Sequence, residues 1–261
     1  MARTMIVIPA RYGSERLPAK VLADLNGKPM VQWVWEKAKG AKKADEVIIA
    51  TDDARVEAVC KGFGAKVAMT AKSHRSGTER VAEVSAKLDY ELVINLQGDE
   101  PLFSPRAIDR LIGVMLEDSS VQMGSLRVKL NAYQDYLDPN VVKVVCDDRD
   151  FALYFSRSPL PYYRGQDALL ARWQKEGGFP EELLPRAFKH LGIYGFRREF
   201  LGVFAGLPGS ALEQAEKLEQ LRALARGFRI KVPETEFDSV SVDVKADLEK
   251  VLSMMRAGEG K

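Results

Sequence analysis

The sequence predicts an α/β fold, with a mostly parallel, Rossmann-like sheet, helices on both of its faces and an inserted smaller sheet region. Three observations point to it. Apolar runs of strand length recur at Met5–Ile8, Glu46–Thr51, Lys66–Met69 and Leu92–Leu96. Segments with apolar residues at helical spacing separate them. Each run gives way to a loop carrying Pro, Gly or charge. Alternation at this rhythm builds a parallel sheet, because each return to a parallel neighbour needs a crossover helix.

Taken in order, Met5–Ile8 is a buried strand that breaks at Pro9 into a loop. Asn26-Gly27 marks a turn, and Pro29 suits the first position of a helix reaching about Lys39. Val31, Val34 and Trp35 line one face of that helix, so the nearby tryptophans read as packing. Glu46–Thr51 is the second strand, followed by Asp52-Asp53 and a helix over 54–63. Lys66–Met69 leads into a polar loop through Gly77. Thr78–Leu88 is helical, with Val81, Val84 and Leu88 on one side. Leu92–Leu96 delivers Gln97-Gly-Asp-Glu-Pro101, and Pro105 opens a helix through Leu116. The second half is less regular. Met123–Val128, Val141–Cys146, Ala152–Ser156 and Lys189–Phe196 read as strands, 212–225 and 244–255 as helices, and 157–186 as an inserted loop.

A chain of 261 residues, 46% hydrophobic, is long enough for one α/β domain with a full core. A net charge of +2 gives no basic footprint for nucleic acid or an acidic membrane. Cys60 and Cys146 sit in apolar segments and read as buried, reduced thiols of a cytoplasmic protein. No signal peptide or membrane span is expected.

In an open α/β sheet, ligands bind beyond the carboxyl ends of the strands. The loop after the first strand carries Arg11, Arg16 and Lys20, shaped by Gly13 and Pro18. Three cations there point either to a polyanion such as a nucleoside triphosphate or to a solvated basic turn. Neither a Gly-x-Gly-x-x-Gly fingerprint nor a P-loop fits the spacing. Asp99 and Glu100, at the end of the fourth strand, face the same rim. Asp99 suits magnesium, which takes one or two carboxylates plus phosphate oxygens, and equally suits a solvated helix cap. Glu100 reads as supporting or structural. Asp243, just before the last helix, reads as an N-cap. Asp148-x-Asp150 has the look of a metal-dependent glycosyltransferase motif but reads as a polar turn. His74 reads as solvated. His190, with Tyr194 on the same strand face, reads as a hydrogen-bonded core histidine, and neither histidine has zinc-ligand spacing.

Seven blocks stand in one order: Ile8-Pro-Ala-Arg-Tyr-Gly-Ser-x-Arg-Leu-Pro-x-Lys20, Asn26-Gly-Lys-Pro-Met30, Ser76-Gly-Thr-Glu-Arg80, Gln97-Gly-Asp-Glu-Pro101, Ala152-Leu-Tyr-Phe-Ser-Arg157, His190-Leu-Gly-Ile-Tyr-Gly195 and Leu218-Glu-Gln-Leu-Arg222. Together the chain resembles the 3-deoxy-manno-octulosonate cytidylyltransferase (CMP-Kdo synthetase) family over nearly its whole length. The resemblance implies a nucleotidyltransferase (GT-A-like) fold as a single domain over 1–261. Its nucleotide part would span about 1–120, and a sugar-binding and dimerisation elaboration about 121–225. It implies CTP and Kdo as substrates, CMP-Kdo and pyrophosphate as products, lipopolysaccharide biosynthesis as the setting, Mg2+ as cofactor, and a cytoplasmic homodimer. The nucleotide would be received by Pro9, Ala10, Arg11, Arg16, Lys20, Arg75, Ser76, Gly77 and Gln97. The sugar would meet Gln97, Arg157, His190, Tyr194, Glu219 and Gln220. Arg11, Lys20, Asp99 and Asp243 would carry catalysis, with Asp99 and Asp243 holding the metal.

Two departures from the family pattern stand out. Val242-Asp-Val-Lys-Ala-Asp-Leu248 lacks the usual Thr-Pro after the first Asp, which changes how the following helix begins. Residues 162–186 match poorly, and no site is assigned there. The rivals are the same chemistry on 8-amino-Kdo or another acidic sugar, a glycosyltransferase using Asp148 and Asp150, and a silent nucleotide binder. Pyrophosphate release separates the last two from the first.

Overall fold

The computed structural model describes residues 3–13, 17–164 and 187–258 of the 261. At its centre lies β1 (Thr4–Pro9), parallel to β4 (Glu46–Thr51) on one side and to β6 (Leu92–Asn95) on the other; β5 (Lys66–Met69) extends the parallel set beyond β4. Met5, Ile6, Val7 and Ile8 are all fully buried, as a central strand covered on both faces requires. Successive side chains go to opposite sides. Ile6 and Ile8 join Val31 and Val34 of α1 (Met30–Lys39) and Ile108 and Leu111 of α4 (Pro105–Glu117). Met5 and Val7 join Val81 and Val84 of α3 (Gly77–Ala86) and Phe200 and Phe204 of a helix near the other end of the chain. One strand thereby divides the core into two layers.

The crossovers fall where the sequence places them, with α2 (Ala54–Gly62) between β4 and β5. Asp53 caps α2 by accepting from the Arg55 amide, Ser76 caps α3 by accepting from Glu79, and Ser104 with Pro105 opens α4. Pro29 stands one position outside its expected place. It is the N-cap of α1 and belongs to β3 (Lys28–Pro29), which pairs with β2 (Asp24–Leu25) across the Asn26-Gly27 turn.

Beyond β6 the sheet turns mixed. β7 (Met123–Lys129) and β10 (Phe188–Arg197) are antiparallel, and β10 is inserted between β7 and β6. The smaller antiparallel region is present as β8 (Lys143–Cys146) and β9 (Ala152–Ser156), hung from β10. A short β11 (Ile230–Lys231) runs parallel to β7 on the far edge. Three further elements go beyond the sequence reading: α5 (Tyr133–Leu137), α6 (Arg198–Gly206) and β11 itself. The expected helix over 212–225 is two helices, α7 (Ala211–Glu216) and α8 (Leu221–Leu224). Lys217 separates them at φ +55°, a left-handed conformation that ends the first. The last helix, α9, spans Lys245–Gly258. Most of the inserted loop expected over 157–186 lies outside the described residues.

Cys60 is buried, whereas Cys146 is only partly so, a correction to the paired reading of the two thiols. Burial pushes the Cys60 thiol up to about 12. Among the described residues no helix is long and apolar enough to cross a membrane.

The second core layer is closed by a run of aromatic contacts in which Phe204 meets Phe196 at 5.4 Å and Phe200 at 6.4 Å between ring centroids. Phe204 is 1% exposed, while its neighbour Val203 is 50% exposed. Phe204→Ala is expected to cost about 3–5 kcal/mol of stability through lost burial and a cavity. Val203→Ala should stay within about 0.5 kcal/mol of the parent. Chemical denaturation of the two variants checks the contrast.

Candidate active site

Because β1, β4, β5 and β6 run parallel, their carboxyl ends share one rim, and the loops that follow them build a cleft of about 380 Å³. The approach of the first and fourth loops is very close. A Cβ on Gly98 would stand 2.8 Å from the Pro9 carbonyl oxygen, so only glycine lets the Gln97–Asp99 turn pass over the end of β1. Gly77 is nearly as constrained, its Cβ position lying 3.1 Å from Pro9 Cγ. The wall so formed comprises Pro9, Gly77, Gln97 and Gly98, with Arg11 and Arg75 at its mouth.

Ala19 takes a left-handed conformation, φ +53°, and starts the 3-10 turn Lys20–Leu22. The side chain of Lys20 is 14% exposed, and its Nζ donates to Asp99 Oδ2 at 2.5 Å and to Asp243 Oδ1 at 3.1 Å. Burial alone would depress this ammonium; Asp99 and then Asp243 overcome it and hold its pKa above the ordinary lysine value. Three segments far apart in sequence thus meet at one charge.

Asp243 is not the helix cap that its position predicts. Asp247, inside the first turn of α9, accepts from the backbone amides of both Asp243 and Val244 at 2.9 Å. The start of the helix is thus held by Asp247 without the Thr-Pro, and the Asp243 side chain is directed at Lys20. The Val242 amide donates to the Asp99 carbonyl at 2.9 Å, fixing the two acidic segments to each other.

The ten-residue α3 points its N-terminus at the cleft through Ser76 and Gly77, an arrangement that favours anions. Arg75, 87% exposed at its side chain, is steered by Glu79, which accepts from both its amide and its guanidinium. His74 is not solvated as expected: its Nε2 lies 2.6 Å from Glu83 Oε2 in a half-buried setting. Ala10 is buried and continues the strand by donating to the Ala50 carbonyl. Arg16 lies outside the described residues.

Arg80 escaped the sequence reading, although it ends a quoted block. It is 3% exposed, lines the cleft, and pairs with Asp52 at 3.1 Å and with Thr70. An arginine placed in the first turn of a helix whose N-terminus meets a cleft was the available signal.

The sugar-side set is only partly gathered. Glu219 accepts from Thr78 Oγ1 at 2.6 Å, which ties it to α3 and so to the wall of the first cleft. His190 is buried and lies 2.8 Å from Ser125 Oγ, with its ring 5.5 Å from that of Tyr194, as the core reading anticipates. His190 lines a second cleft of about 430 Å³, which shares Asp243 with the first and has Glu100 in its wall. Burial pushes Glu100 up to about 7. Gln220 is 2% exposed, its side-chain nitrogen without a hydrogen-bond partner among the described residues. Arg157 stands apart from both clefts; its guanidinium donates to the carbonyls of Glu216 and Pro139. Asp148-x-Asp150 is indeed a turn, with Asp147 accepting from the Arg149 and Phe151 amides, and Asp150 paired with Arg127 at 2.7 Å.

A sequence profile described as cytidylyltransferase matches residues 5–231. The 3-deoxy-manno-octulosonate cytidylyltransferase of Geotalea daltonii is 50% identical over 252 residues, covering 96% of this chain and 97% of the relative. That of Geobacter sulfurreducens is 48% identical, covering 96% and 98%. A solved structure of CMP:2-keto-3-deoxy-manno-octonic acid synthetase complexed with CTP superposes with a TM-score of 0.87 at 42% identity, covering 98% of this chain and all of the other. A cytidylyltransferase from Leptospira borgpetersenii, 16% identical with a TM-score of 0.62, shares the fold.

The histidine yields a pH prediction. Burial pushes His190 down to about 3 from the ordinary 6.5, so the unfolded chain takes up a proton that the folded chain refuses. Stability is therefore lost as pH falls below about 6.5, at up to about 1.4 kcal/mol per pH unit. His190→Gln should remove that part of the slope between about pH 6 and 4, read as the difference between the two unfolding free-energy profiles.

Proposed function

The chain belongs to the 3-deoxy-manno-octulosonate cytidylyltransferase family, and from that premise we propose that it transfers CMP from CTP to the anomeric hydroxyl of Kdo, releasing pyrophosphate, for lipopolysaccharide biosynthesis. The observation that carries the reading is the Lys20 ammonium held between Asp99 and Asp243 in a cleft at the N-terminus of α3. Lys20 and Arg11 neutralise the triphosphate, Arg16 is assigned to the nucleotide with them, and Arg75 helps receive the cytidine. The first-turn amides of α3, at Ser76 and Gly77, and the backbone at Pro9 and Ala10 receive the rest of the nucleotide. Gln97, His190, Tyr194, Glu219 and Gln220 serve the sugar, with Arg157 joining them on the sugar side.

The residues fit a divalent ion. Asp99 and Asp243 already converge on one positive charge, and both carboxylates are partly open, at 24% and 40%. Magnesium favours such a pair, with phosphate oxygens completing its shell. Bound there, the ion would supply Lewis-acid charge at the phosphate oxygens and favour ionisation of a hydroxyl beside it. The protein groups do the remainder. They align the sugar hydroxyl with the α-phosphorus, oppose the negative charge that builds on its oxygens, and stabilise departing pyrophosphate. The bond from the α-phosphorus to the bridging oxygen breaks as the new bond from sugar oxygen to phosphorus forms. No covalent enzyme intermediate is involved.

The nucleotide part is assigned to about 1–120 and the sugar-binding and dimerisation part to about 121–225. Leu153, on the outer strand β9 and 64% exposed, is an apolar side chain that a second copy would cover. The setting is the cytoplasm and the assembly a homodimer, which sedimentation tests.

The deciding assay is pyrophosphate release from CTP, Mg2+ and Kdo, with each component omitted in turn and 8-amino-Kdo tried in parallel. Release is expected only when all three are present. Asp99→Asn should lower turnover by about a hundredfold or more while the melting temperature stays near that of the parent. A fully active Asp99→Asn enzyme would sink the metal role.

A further inference from the structure

Between the nucleotide cleft and Glu219 runs an unbroken chain of polar groups whose two middle members, Asn95 and Thr78, the reaction scheme above does not use. Gln97 Nε2 donates to Asn95 Oδ1 at 3.2 Å, and Asn95 Nδ2 donates to Thr78 Oγ1 at 3.2 Å. Thr78 Oγ1 in turn donates to Glu219 Oε2 at 2.6 Å. Asn95 is fully buried and Thr78 is 3% exposed. Buried donors and acceptors are costly when unpaired, so the chain holds together as a unit.

Its direction follows from the inventory of protons. A carboxylate only accepts, so the Thr78 hydroxyl must give Glu219 its single proton. Toward Asn95 that hydroxyl can then only accept, which turns the Asn95 amide nitrogen to Thr78 and its oxygen to Gln97. Gln97 must answer with its own nitrogen. With the amide nitrogen of Gln97 turned to Asn95, its carbonyl oxygen lies on the other side, toward Gly77 on the cleft wall, 3.6 Å from where a Cβ would stand. We propose that Thr78 and Asn95 are positioning residues which, anchored on Glu219, lock Gln97 with its carbonyl oxygen toward the substrate, so that this position reads a hydroxyl and rejects an anionic oxygen.

The proposal rests on the sugar-side reading of Gln97 and Glu219 and adds to it a division of labour. An acidic sugar beside a triphosphate offers many anionic oxygens and several hydroxyls. A glutamine free to rotate would accept either, since its amide carries both a donor and an acceptor. A locked carbonyl repels carboxylate and phosphate, leaving those to Lys20 and the arginines, and selects the register in which a hydroxyl faces β6. Thr78 can serve both ends because the first turn of α3 presents Ser76, Gly77 and Arg80 to the nucleotide cleft and Thr78 to Glu219.

The test is a steady-state comparison of wild type, Thr78→Val and Thr78→Ser with Kdo and CTP varied separately. Thr78→Val keeps the shape and removes the hydroxyl. It should raise the KM for Kdo by about 5–20-fold and leave the KM for CTP within about twofold, while Thr78→Ser returns both to within about twofold of wild type. A Thr78→Val enzyme with both KM values unchanged, or with both raised together, overturns the proposal, as does a Thr78→Ser enzyme that fails to rescue. Should Thr78→Val melt below the assay temperature, Asn95→Ser is read by the same criteria. Wild type that releases no pyrophosphate with Kdo defeats the functional reading and the relay with it; an active wild type beside an unchanged Thr78→Val defeats the relay alone.

Discussion

Everything at the rim depends on one ammonium. Lys20 is 79 residues from Asp99 and 223 from Asp243, and it donates to both carboxylates. The backbone is arranged to make the meeting unavoidable. Ala19 accepts a left-handed conformation to turn Lys20 inward, Gly98 lets the second loop pass over the Pro9 carbonyl, and the Val242 amide pins the third segment to Asp99. Strain and close approach of this kind are held only where surrounding contacts over-determine them. The parallel strands beneath supply that rigidity, since four fully buried residues of β1 fix where its carboxyl end lies.

That geometry also bears on the reading proposed above. The single charge of Lys20 offsets only one of the two carboxylates, which leaves the trio one negative charge in excess. Under the proposed reading that excess favours a divalent ion at the carboxylates, while Lys20 and Arg11 face the phosphates it accompanies. Charges fixed in advance by the fold are the ones that stabilise a developing charge most effectively.

Much of the fold was legible because its signals are local. The strands of the parallel half are apolar runs of the right length, and Ser76, Asp53 and Ser104 are ordinary N-caps placed just before helical spacing begins. The misses have physical reasons. Ser210 and Glu213 form a capping box that was readable, but the break at Lys217 carries no glycine to announce it, so two helices read as one. The period-two pattern of 189–196 shows a strand and is silent on direction, which depends on pairings with residues 95 and 126. Asp243 looked like a cap because a carboxylate before a helix usually is one; Asp247, three residues into the turn, does that work instead. For the site, Lys20 and Asp99 were visible as charges at strand ends. The blocks that name the sugar came from likeness to a family, not from periodicity or charge.

The residues passed over share a feature. Thr78, Arg80 and Asn95 are polar groups at buried positions, one of them within an otherwise apolar strand. A buried polar side chain must be satisfied, and a sequence does not say by what. Asn95 could have been paired locally, in which case it would concern only the stability of β6. Instead its two halves face Gln97 and Thr78, and the sheet order sets its surroundings: with β10 inserted beside β6, Tyr194 stands in register with Asn95, and α3 crosses above with Thr78. A strand added on that edge in the opposite direction thus brings the His190–Gly195 block against the strand that leads to Asp99. The antiparallel insertion, the least predictable part of the topology, is the part that lets the two halves of the site share hydrogen bonds.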